Sequence, residues 1–334
     1  MIKNISIIIL LLAVSVLTAA DAGIDNLIEQ GIDFAQRQEY NRADSCFDLI
    51  PRNHPGAYLF KSIALQALMG EEHDYRAGEP TLSYCRRTIE LADAMIKKNP
   101  SSAEGYFYRG MGYGTLGTYQ ARVREWFSSF RSGSKGIDDL KKCVALDSLY
   151  YDAYTGLGVY HYWKSKITRY LSWLPFVSDD RPRGKHELSV ATERARFLNH
   201  PARYSMIWVY YEEKNYAAAL QLCEGFLKQY PENTTFLRSK ADVMFRMDDQ
   251  AGTIAAYRLL LDVLADRPTA NKIEEIECHY KLALSLERTG AAGDALAEYQ
   301  TVLATAVPEW AQSEAGPYRS KAEERISSIS KGKQ

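Results

Sequence analysis

The sequence predicts an all-α fold in which pairs of helices repeat along the chain. The clearest sign is a recurring spacing: a small residue, a larger residue four positions later and a proline eight positions after that, as in Ala219, Cys223 and Pro231. Three more copies keep this spacing or change only its last member: Ala43, Phe47 and Pro55; Gly136, Leu140 and Ser148; and Ala295, Tyr299 and Pro308, one residue late. Such units stack into a solenoid, because one helix pair cannot bury its apolar face alone.

Turn residues between these patterns divide residues 24–308 into about seven helix pairs. In chain order the pairs cover residues 24–55, 56–100, 101–148, 149–200, 201–231, 232–268 and 270–308. The second pair contains an acidic connection from Glu71 to Pro80. Gly316 and Pro317 then begin a last helix, predicted over residues 316–330, whose polar composition suits the solvent-facing cap of a repeat array.

The third and fourth pairs each carry an insertion. Four residues of the third pair recur 48 positions later: Tyr106, Gly110, Gly136 and Leu140 return as Tyr154, Gly158, Gly184 and Leu188. The separation of Gly110 from Gly136 is 26 positions, against 12 for Gly31 and Ala43 in the first pair, which leaves a 14-residue insertion. We expect extended or additional helical turns near residues 114–134 and 164–183, with the two insertions in contact on one edge of the solenoid.

Both insertions are rich in aromatic residues and arginines. The first contains four aromatic residues, Trp126 among them, and three arginines, and the second contains Trp173 beside further aromatic residues. Exposed, these side chains would form an interface for a partner. One alternative is that the insertions bury their aromatic side chains against each other. Another is contact with a membrane surface, since Trp, Tyr and Arg suit the depth of lipid headgroups.

Over residues 24–308 the repeats resemble the tetratricopeptide repeat (TPR) family, and the chain as a whole resembles exported bacterial members. The resemblance implies a right-handed superhelical solenoid whose first helices line a concave groove that receives peptide. Helical spacing then places the candidate partner-binding residues in that groove: Tyr162 and Trp163 in pair four, Tyr204, Trp208 and Tyr211 in pair five, and Arg238, Phe245 and Arg246 in pair six. The Lys/Asn arrangement with which some members hold a terminal carboxylate is absent from these positions, so a chaperone tail is not the expected ligand.

Signals for catalysis, metals and cofactors are missing from the sequence. The six histidines are scattered, and Gly133 to Gly136 lacks the spacing and the preceding strand of a phosphate-binding loop. The five cysteines include no C-x-x-C pair, so we expect small buried packing residues rather than a metal or redox site. The net charge of −1 gives no long-range attraction to nucleic acid. The sequence therefore predicts neither an enzyme nor a nucleic-acid-binding protein.

The N-terminus has the features of a secretory signal peptide over residues 1–20. Lys3 supplies a positive charge, an apolar run extends from Ile5 to Leu17, and small residues follow. We expect cleavage after Ala20, or else after Ala22. The alternative is retention of this segment as an uncleaved anchor. A cleaved signal peptide indicates a periplasmic or secreted protein.

Together these observations favour a non-enzymatic protein-binding scaffold in the bacterial cell envelope. A peptide or protein partner would bind in the concave groove and along the aromatic insertions. The alternative is a small-ligand or glycan-binding protein in which the insertions form a lid over the groove. The sequence indicates neither the partner nor an oligomeric state.

Export is testable on the mature chain. If the N-terminal segment is a cleaved signal peptide, intact-mass spectrometry of protein recovered from the envelope fraction should find a chain that begins near Asp21 or Gly23. A chain that retains Met1 and fractionates with the cytoplasm would contradict export.

Overall fold

The computed structural model describes residues 23–76, 78–168, 178–267 and 271–331, and the regular structure in these ranges is helical. In chain order the α-helices are α1 (23–36), α2 (Tyr40–Asp48), α3 (Gly56–Glu71), α4 (Gly78–Lys98), α5 (Ala103–Arg122), α6 (Trp126–Leu146), α7 (Ala153–Thr168), α8 (Arg181–Arg194), α9 (Asn199–Glu212), α10 (Tyr216–Leu227), α11 (Thr234–Arg246), α12 (Gln250–Asp266), α13 (Ile273–Arg288), α14 (Ala292–Ala304) and α15 (Gln312–Lys331). The predicted all-α helical-repeat fold is confirmed, with α1 to α14 forming the seven predicted pairs. Across the described ranges, no helix combines the length and apolarity required to cross a bilayer.

The recurring small and large residues are core residues, as their spacing predicts. Ala43, Ala219 and Ala295 are all 0% exposed, and the larger residue four positions after each is at most 1% exposed. A small side chain at these positions allows two helices to approach closely, while the larger side chain fills the space beside it. The sequence pattern therefore records helix packing.

The chain divides into two compact units. The first comprises the described residues of Met1–Ala67, Ala77–Tyr160 and Glu193–Asn199, and its core includes Phe47, Phe107 and Leu157. The second comprises those of Leu68–Arg76, His161–Thr192 and His200–Gln334. Its buried clusters are built around Tyr257 and Tyr299 in the later repeats and around Phe226 in pair five.

The insertion in pair three consists of extended helices. Helix α5 has 20 residues and α6 has 21, against 14 and 12 for α9 and α10 of pair five. Glycines line the contact between α5 and α6, so that a Cβ atom added to Gly136 would lie 2.8 Å from the carbonyl oxygen of Gly110. Near the turn, Ser129 Oγ donates a hydrogen bond to the carbonyl of Gly117 at 2.8 Å. Backbone contact therefore holds the two long helices together.

The insertion in pair four is described only in part. Helix α7 ends at Thr168 and α8 begins at Arg181, and residues 169–177 between them lie outside the described ranges. The expected contact between the two insertions depends on these residues and stays a prediction.

The last helix begins earlier than predicted. Helix α15 starts at Gln312 rather than near residue 316, after a 3₁₀ turn at Glu309–Ala311, and Pro317 lies inside it. A proline costs a helix one backbone hydrogen bond, but Ala315 before it is fully buried, and α15 packs against α14 and α13. The stabilisation from burying the first turn of α15 outweighs the lost hydrogen bond at Pro317, the residue that led us to expect the helix to begin near residue 316.

All five cysteines are described, and all are free thiols. Cys85, Cys143, Cys223 and Cys278 are buried, as the sequence predicts, and Cys46 is partly exposed. Burial raises the pKa of Cys85 to about 11 and that of Cys143 and Cys223 to about 12. Because the thiolate is the nucleophile, these side chains are packing residues with little reactivity near neutral pH.

Two glycines of α6 provide a matched test of the contact between α5 and α6. The methyl group of Gly136→Ala would clash with the backbone of Gly110, whereas a Cβ atom on Gly133 would have no neighbour within 4 Å. We expect Gly136→Ala to lower the free energy of unfolding by about 1–3 kcal/mol. Gly133→Ala should raise it by up to about 1 kcal/mol, because alanine favours the helix. Urea unfolding of both variants measures the difference, and equal effects would contradict the backbone contact.

Candidate partner-binding surface

Helix α9 carries a row of three half-buried aromatic residues. Tyr204, Trp208 and Tyr211 follow one another at helical spacing, with ring centroids 6.2 Å and 5.1 Å apart in edge-to-face geometry. Tyr204 also packs on Phe236 of α11, with centroids 5.8 Å apart. The exposed side chain of Arg246 donates a hydrogen bond from Nε to the hydroxyl of Tyr211 at 2.6 Å. Each ring of the row therefore packs on its neighbours and presents only part of its surface to solvent.

Helical spacing predicted that Tyr162 faces an open groove. This prediction is wrong, because the side chain of Tyr162 is only 3% exposed. Its hydroxyl donates a hydrogen bond to the carbonyl of Val209 in α9 at 3.5 Å, and burial raises its pKa to about 12. Thr155, in the same helix, is also buried, with a side chain that is 5% exposed. The two residues lie seven positions apart on the face of α7 that packs inward, so the predicted stripe is rotated from the observed one.

The neighbouring Trp163 is half-buried and keeps part of its ring accessible. The ring packs edge-to-face on Tyr162, with centroids 5.4 Å apart. The ammonium of Lys166 lies 4.8 Å from the ring centroid, which is cation–π distance. Trp163 therefore remains a candidate contact residue at the end of α7.

The predicted residues of α11 differ in accessibility. Arg238 donates a hydrogen bond to the carboxylate of Glu274 at 2.5 Å, and Glu274 is 4% exposed. Desolvation is the largest single influence and would lower the pKa of Arg238, but the surrounding acidic groups, of which Glu274 contributes most, together outweigh it and raise the pKa. Phe245 is half-buried beneath the guanidinium of Arg288, 4.1 Å from its ring centroid. Arg246 is the exposed member of the set.

Trp126 belongs to a cluster of exposed aromatic residues at the start of α6. Trp126, Phe127 and Phe130 are 65%, 94% and 75% exposed, and we call these three residues the aromatic tip. Three exposed arginines lie next to them in sequence: Arg122, Arg124 and Arg131. The turn that leads into the tip places Arg124 in the left-handed region, with φ 66°. Trp173, the corresponding prediction in the second insertion, lies outside the described residues.

The first unit contains a cleft of about 390 Å³ that the sequence did not predict. Asp152 stabilises one wall by accepting hydrogen bonds from the backbone N–H groups of Phe197 and Leu198 at 2.8 Å and 2.7 Å. Tyr108 lines the cleft, and Arg196 forms ion pairs there with Asp25 and with Glu29 beside it. Asp152 and Phe197 are 45 residues apart, so no local motif marks the cleft. Within the described ranges, no group of three or more His, Cys, Asp or Glu residues is arranged to hold a metal ion.

Comparison with known proteins supports the fold. No family model matches the chain, and no curated protein matches it. Among solved structures, the Cut9–Hcn1 hetero-tetramer of the APC/C matches with a TM-score of 0.51 and 11% identity, over 88% of this chain and 48% of that one. The C-terminal part of a TPR repeat-containing protein from Cytophaga hutchinsonii matches with a TM-score of 0.48 and 17% identity, over 90% and 99% of the two chains.

Human IFIT1 in complex with PPP-AAAA matches with a TM-score of 0.43 and 12% identity, over 81% of this chain and 58% of that one. At 11% identity the match to Cut9–Hcn1 bears on the fold alone. Together with the helix pairs, the similarity to Cut9–Hcn1 assigns the chain a TPR-like helical-repeat fold.

Two tryptophans among the candidate residues test which side chains contribute to packing and which lie on the surface. Trp208→Ala removes a ring held between Tyr204 and Tyr211 and should lower the free energy of unfolding by about 2 kcal/mol or more. Trp126→Ala removes a ring that is 65% exposed and should change it by less than about 0.5 kcal/mol. Urea unfolding of both variants gives the comparison. If Trp126→Ala lowered the free energy of unfolding by more than Trp208→Ala, the aromatic tip would be part of the packed core.

Proposed function

We propose that the protein is a non-enzymatic scaffold that binds a protein partner through the aromatic tip of the α5–α6 hairpin. The observation that carries this proposal is the exposure of Trp126, Phe127 and Phe130 in an otherwise well-packed repeat fold. The TPR-like fold supports the general role, since repeat proteins present extended surfaces to other molecules. Trp163, Trp208 and Arg246 are candidates for additional contacts elsewhere on the chain.

Leaving the large apolar side chains of the aromatic tip in water is unfavourable. Burying one large apolar side chain stabilises a complex by about 1.5–3 kcal/mol, and contiguous exposed apolar groups usually mark an interaction site. Aromatic residues and arginine are also the types that most often contribute large binding energies at interfaces. The neighbouring arginines favour a partner whose apolar pocket has an acidic rim, because complementary charge speeds association and fixes orientation.

We propose further that the scaffold works in the bacterial cell envelope. This step rests on the N-terminal sequence, whose charged start, apolar run and small residues are typical of an export signal. The signal lies outside the described residues, so the localisation depends on the mass and fractionation measurements given above.

Binding of a small ligand or a glycan is a second candidate function, favoured by the cleft in the first unit. Its volume falls within the range of small-molecule sites, and it combines tyrosine and phenylalanine rings with charged groups. The cleft differs from the lid over a groove that the sequence suggested. A screen of neutral and amino sugars by isothermal calorimetry tests it, and saturable binding that Tyr108→Phe weakens would support it.

The aromatic tip is tested by replacing its two leading residues. The double variant Trp126→Ser/Phe127→Ser should fold normally and lose capture of the partner from envelope extract, because it removes the exposed rings. Leu49→Ser is the matched control, since Leu49 is 70% exposed but lies in the turn after α2. Quantitative mass spectrometry of the captured proteins should show one species retained by the wild-type and Leu49→Ser chains and lost with the double variant.

Membrane binding is the competing explanation for the same side chains. Sedimentation with vesicles of anionic phospholipid separates the two, since a protein-specific tip should give no binding to lipid alone. Binding to vesicles that the double variant abolishes, with no protein lost from the capture experiment, would overturn the proposal in favour of a membrane surface.

A further inference from the structure

Residues 71–76, which end α3 and begin the acidic connection, bind to the C-terminal repeats within the second unit. Glu71 accepts a hydrogen bond from the hydroxyl of Thr235 at 3.4 Å. The carbonyl of Glu72 accepts one from Nδ2 of Asn271. His73 Nε2 lies 3.2 Å from Oε2 of Glu274. These contacts join residues 164 to 201 positions apart in sequence, so they are tertiary contacts between distant parts of the chain.

The partners of this segment lie where successive helices begin. Thr235 is the second residue of α11, Glu274 is the second residue of α13, and Glu314 is the third residue of α15. Asn271 precedes α13 by two positions, and Trp310 lies in the 3₁₀ turn before α15. The segment therefore crosses the N-terminal ends of three helices of successive repeats, and the Glu71 carboxylate lies at one of them, where the helix dipole favours an acidic group.

The side-chain amide of Asn271 is oriented to donate a hydrogen bond to a peptide carbonyl. Its side chain is 0% exposed, and its Oδ1 accepts the backbone N–H of Ile273 at 2.9 Å. With the oxygen held by the helix start, Nδ2 points toward residue 72. Removal of the segment would leave this amide donor without its partner, which is unfavourable unless another acceptor replaces the carbonyl.

Glu274 provides the second feature, a buried carboxylate with spare acceptor capacity. Its Oε2 interacts with both Arg238 and His73, whereas its Oε1 is buried and has no hydrogen-bond partner among the described residues. On the other side of the imidazole, His73 Nδ1 lies 3.8 Å from Oε2 of Glu314. Two carboxylates therefore flank this position, and they favour a hydrogen-bond donor or a cation between them.

Trp310 provides the third feature. The guanidinium of Arg76 stacks over its ring, 3.5 Å from the centroid, while Arg76 also binds Asp74 through Nη2 at 2.7 Å. Arg76 and Glu314 are 58% and 50% exposed, so these contacts lie at the rim and cost little to open. His73 adopts φ 50° two residues after the end of α3, and the same left-handed conformation follows α5 at Arg124 and α9 at Lys214, so it belongs to the helix-end turn of the repeat.

We propose that residues 71–76 are an intramolecular ligand of a peptide-binding surface formed by Asn271, Glu274 and Trp310. An external partner for this surface is a peptide with the same three features: a backbone carbonyl for Asn271, a histidine or basic residue in the next position for Glu274, and an arginine three residues further for Trp310. Such a partner must compete with the chain's own segment. The surface is distinct from the aromatic tip and does not depend on the function proposed for it.

The competition is tested with a fluorescent peptide of sequence LMGEEHDYRA, residues 68–77, added to the full chain and followed by anisotropy. The wild-type chain should bind it weakly, because a tethered segment acts at an effective concentration in the millimolar range. The variant His73→Ala/Arg76→Ala weakens the tethered segment and should bind the peptide about tenfold more tightly or better. A peptide with alanine in place of both residues is the matched control and should not bind.

Two further variants separate a peptide-binding surface from a purely structural contact. Adding Trp310→Ala to the double variant should abolish peptide binding, since it removes the stacking surface for the arginine. The single variant Arg76→Ala changes a side chain that is 58% exposed, so it should fold normally and still bind the peptide several-fold more tightly than the wild-type chain. Equal affinity for wild-type and Arg76→Ala chains, or no binding to either, would overturn the proposal and make the segment a structural brace only.

Discussion

Close approach of helix backbones is the constraint on which the rest of this structure depends. Within the pairs, fully buried alanines such as Ala219 let neighbouring helices come together. In the long hairpin of α5 and α6, Gly110 and Gly136 bring one backbone against the other, with no room for a Cβ atom at either position. Small residues contribute little apolar area themselves, but they allow larger neighbours such as Leu140 to pack closely.

The same constraint explains how the protein presents an aromatic tip to solvent. A hairpin that depended on a conventional core would need its large apolar side chains turned inward. In α5 and α6 the glycine contact and the hydrogen bond from Ser129 to the Gly117 carbonyl hold the helices together near the turn. Trp126, Phe127 and Phe130 are consequently not required for packing and remain exposed. A rigid base with accessible rings suits binding, because little ordering entropy is lost when a partner binds.

The helix pairs could be read from the sequence because their determinants are local. In pairs one, three, five and seven, a small residue, a larger one on the next turn and a stop signal lie within 12 or 13 positions of one another. The start of α15 was misplaced because a local proline signal was weighed without the burial of Ala315. Tyr162 was misplaced because a rotation of α7 by a fraction of a turn moves a residue from the surface into the contact with α9.

The remaining site features could not be predicted, because they join residues distant in sequence. Asn271 meets the carbonyl of Glu72 across 199 positions, and Asp152 meets the backbone of Phe197 across 45. No spacing rule relates such residues before the fold is known. The aromatic tip lies between these cases, since its composition was visible in the sequence, whereas its exposure depended on the packing of the hairpin.

The exposure of Trp126 tests this account most directly. A chain labelled with 5-fluorotryptophan gives one ¹⁹F resonance for each of its five tryptophans, and a Trp126→Phe sample assigns the resonance of interest. The account predicts that the change in chemical shift of the Trp126 resonance between H₂O and D₂O is well above that of Trp208, which lies in the aromatic row of α9. A shift for Trp126 as small as that for Trp208 would show that the aromatic tip is buried in solution and would contradict the central claim.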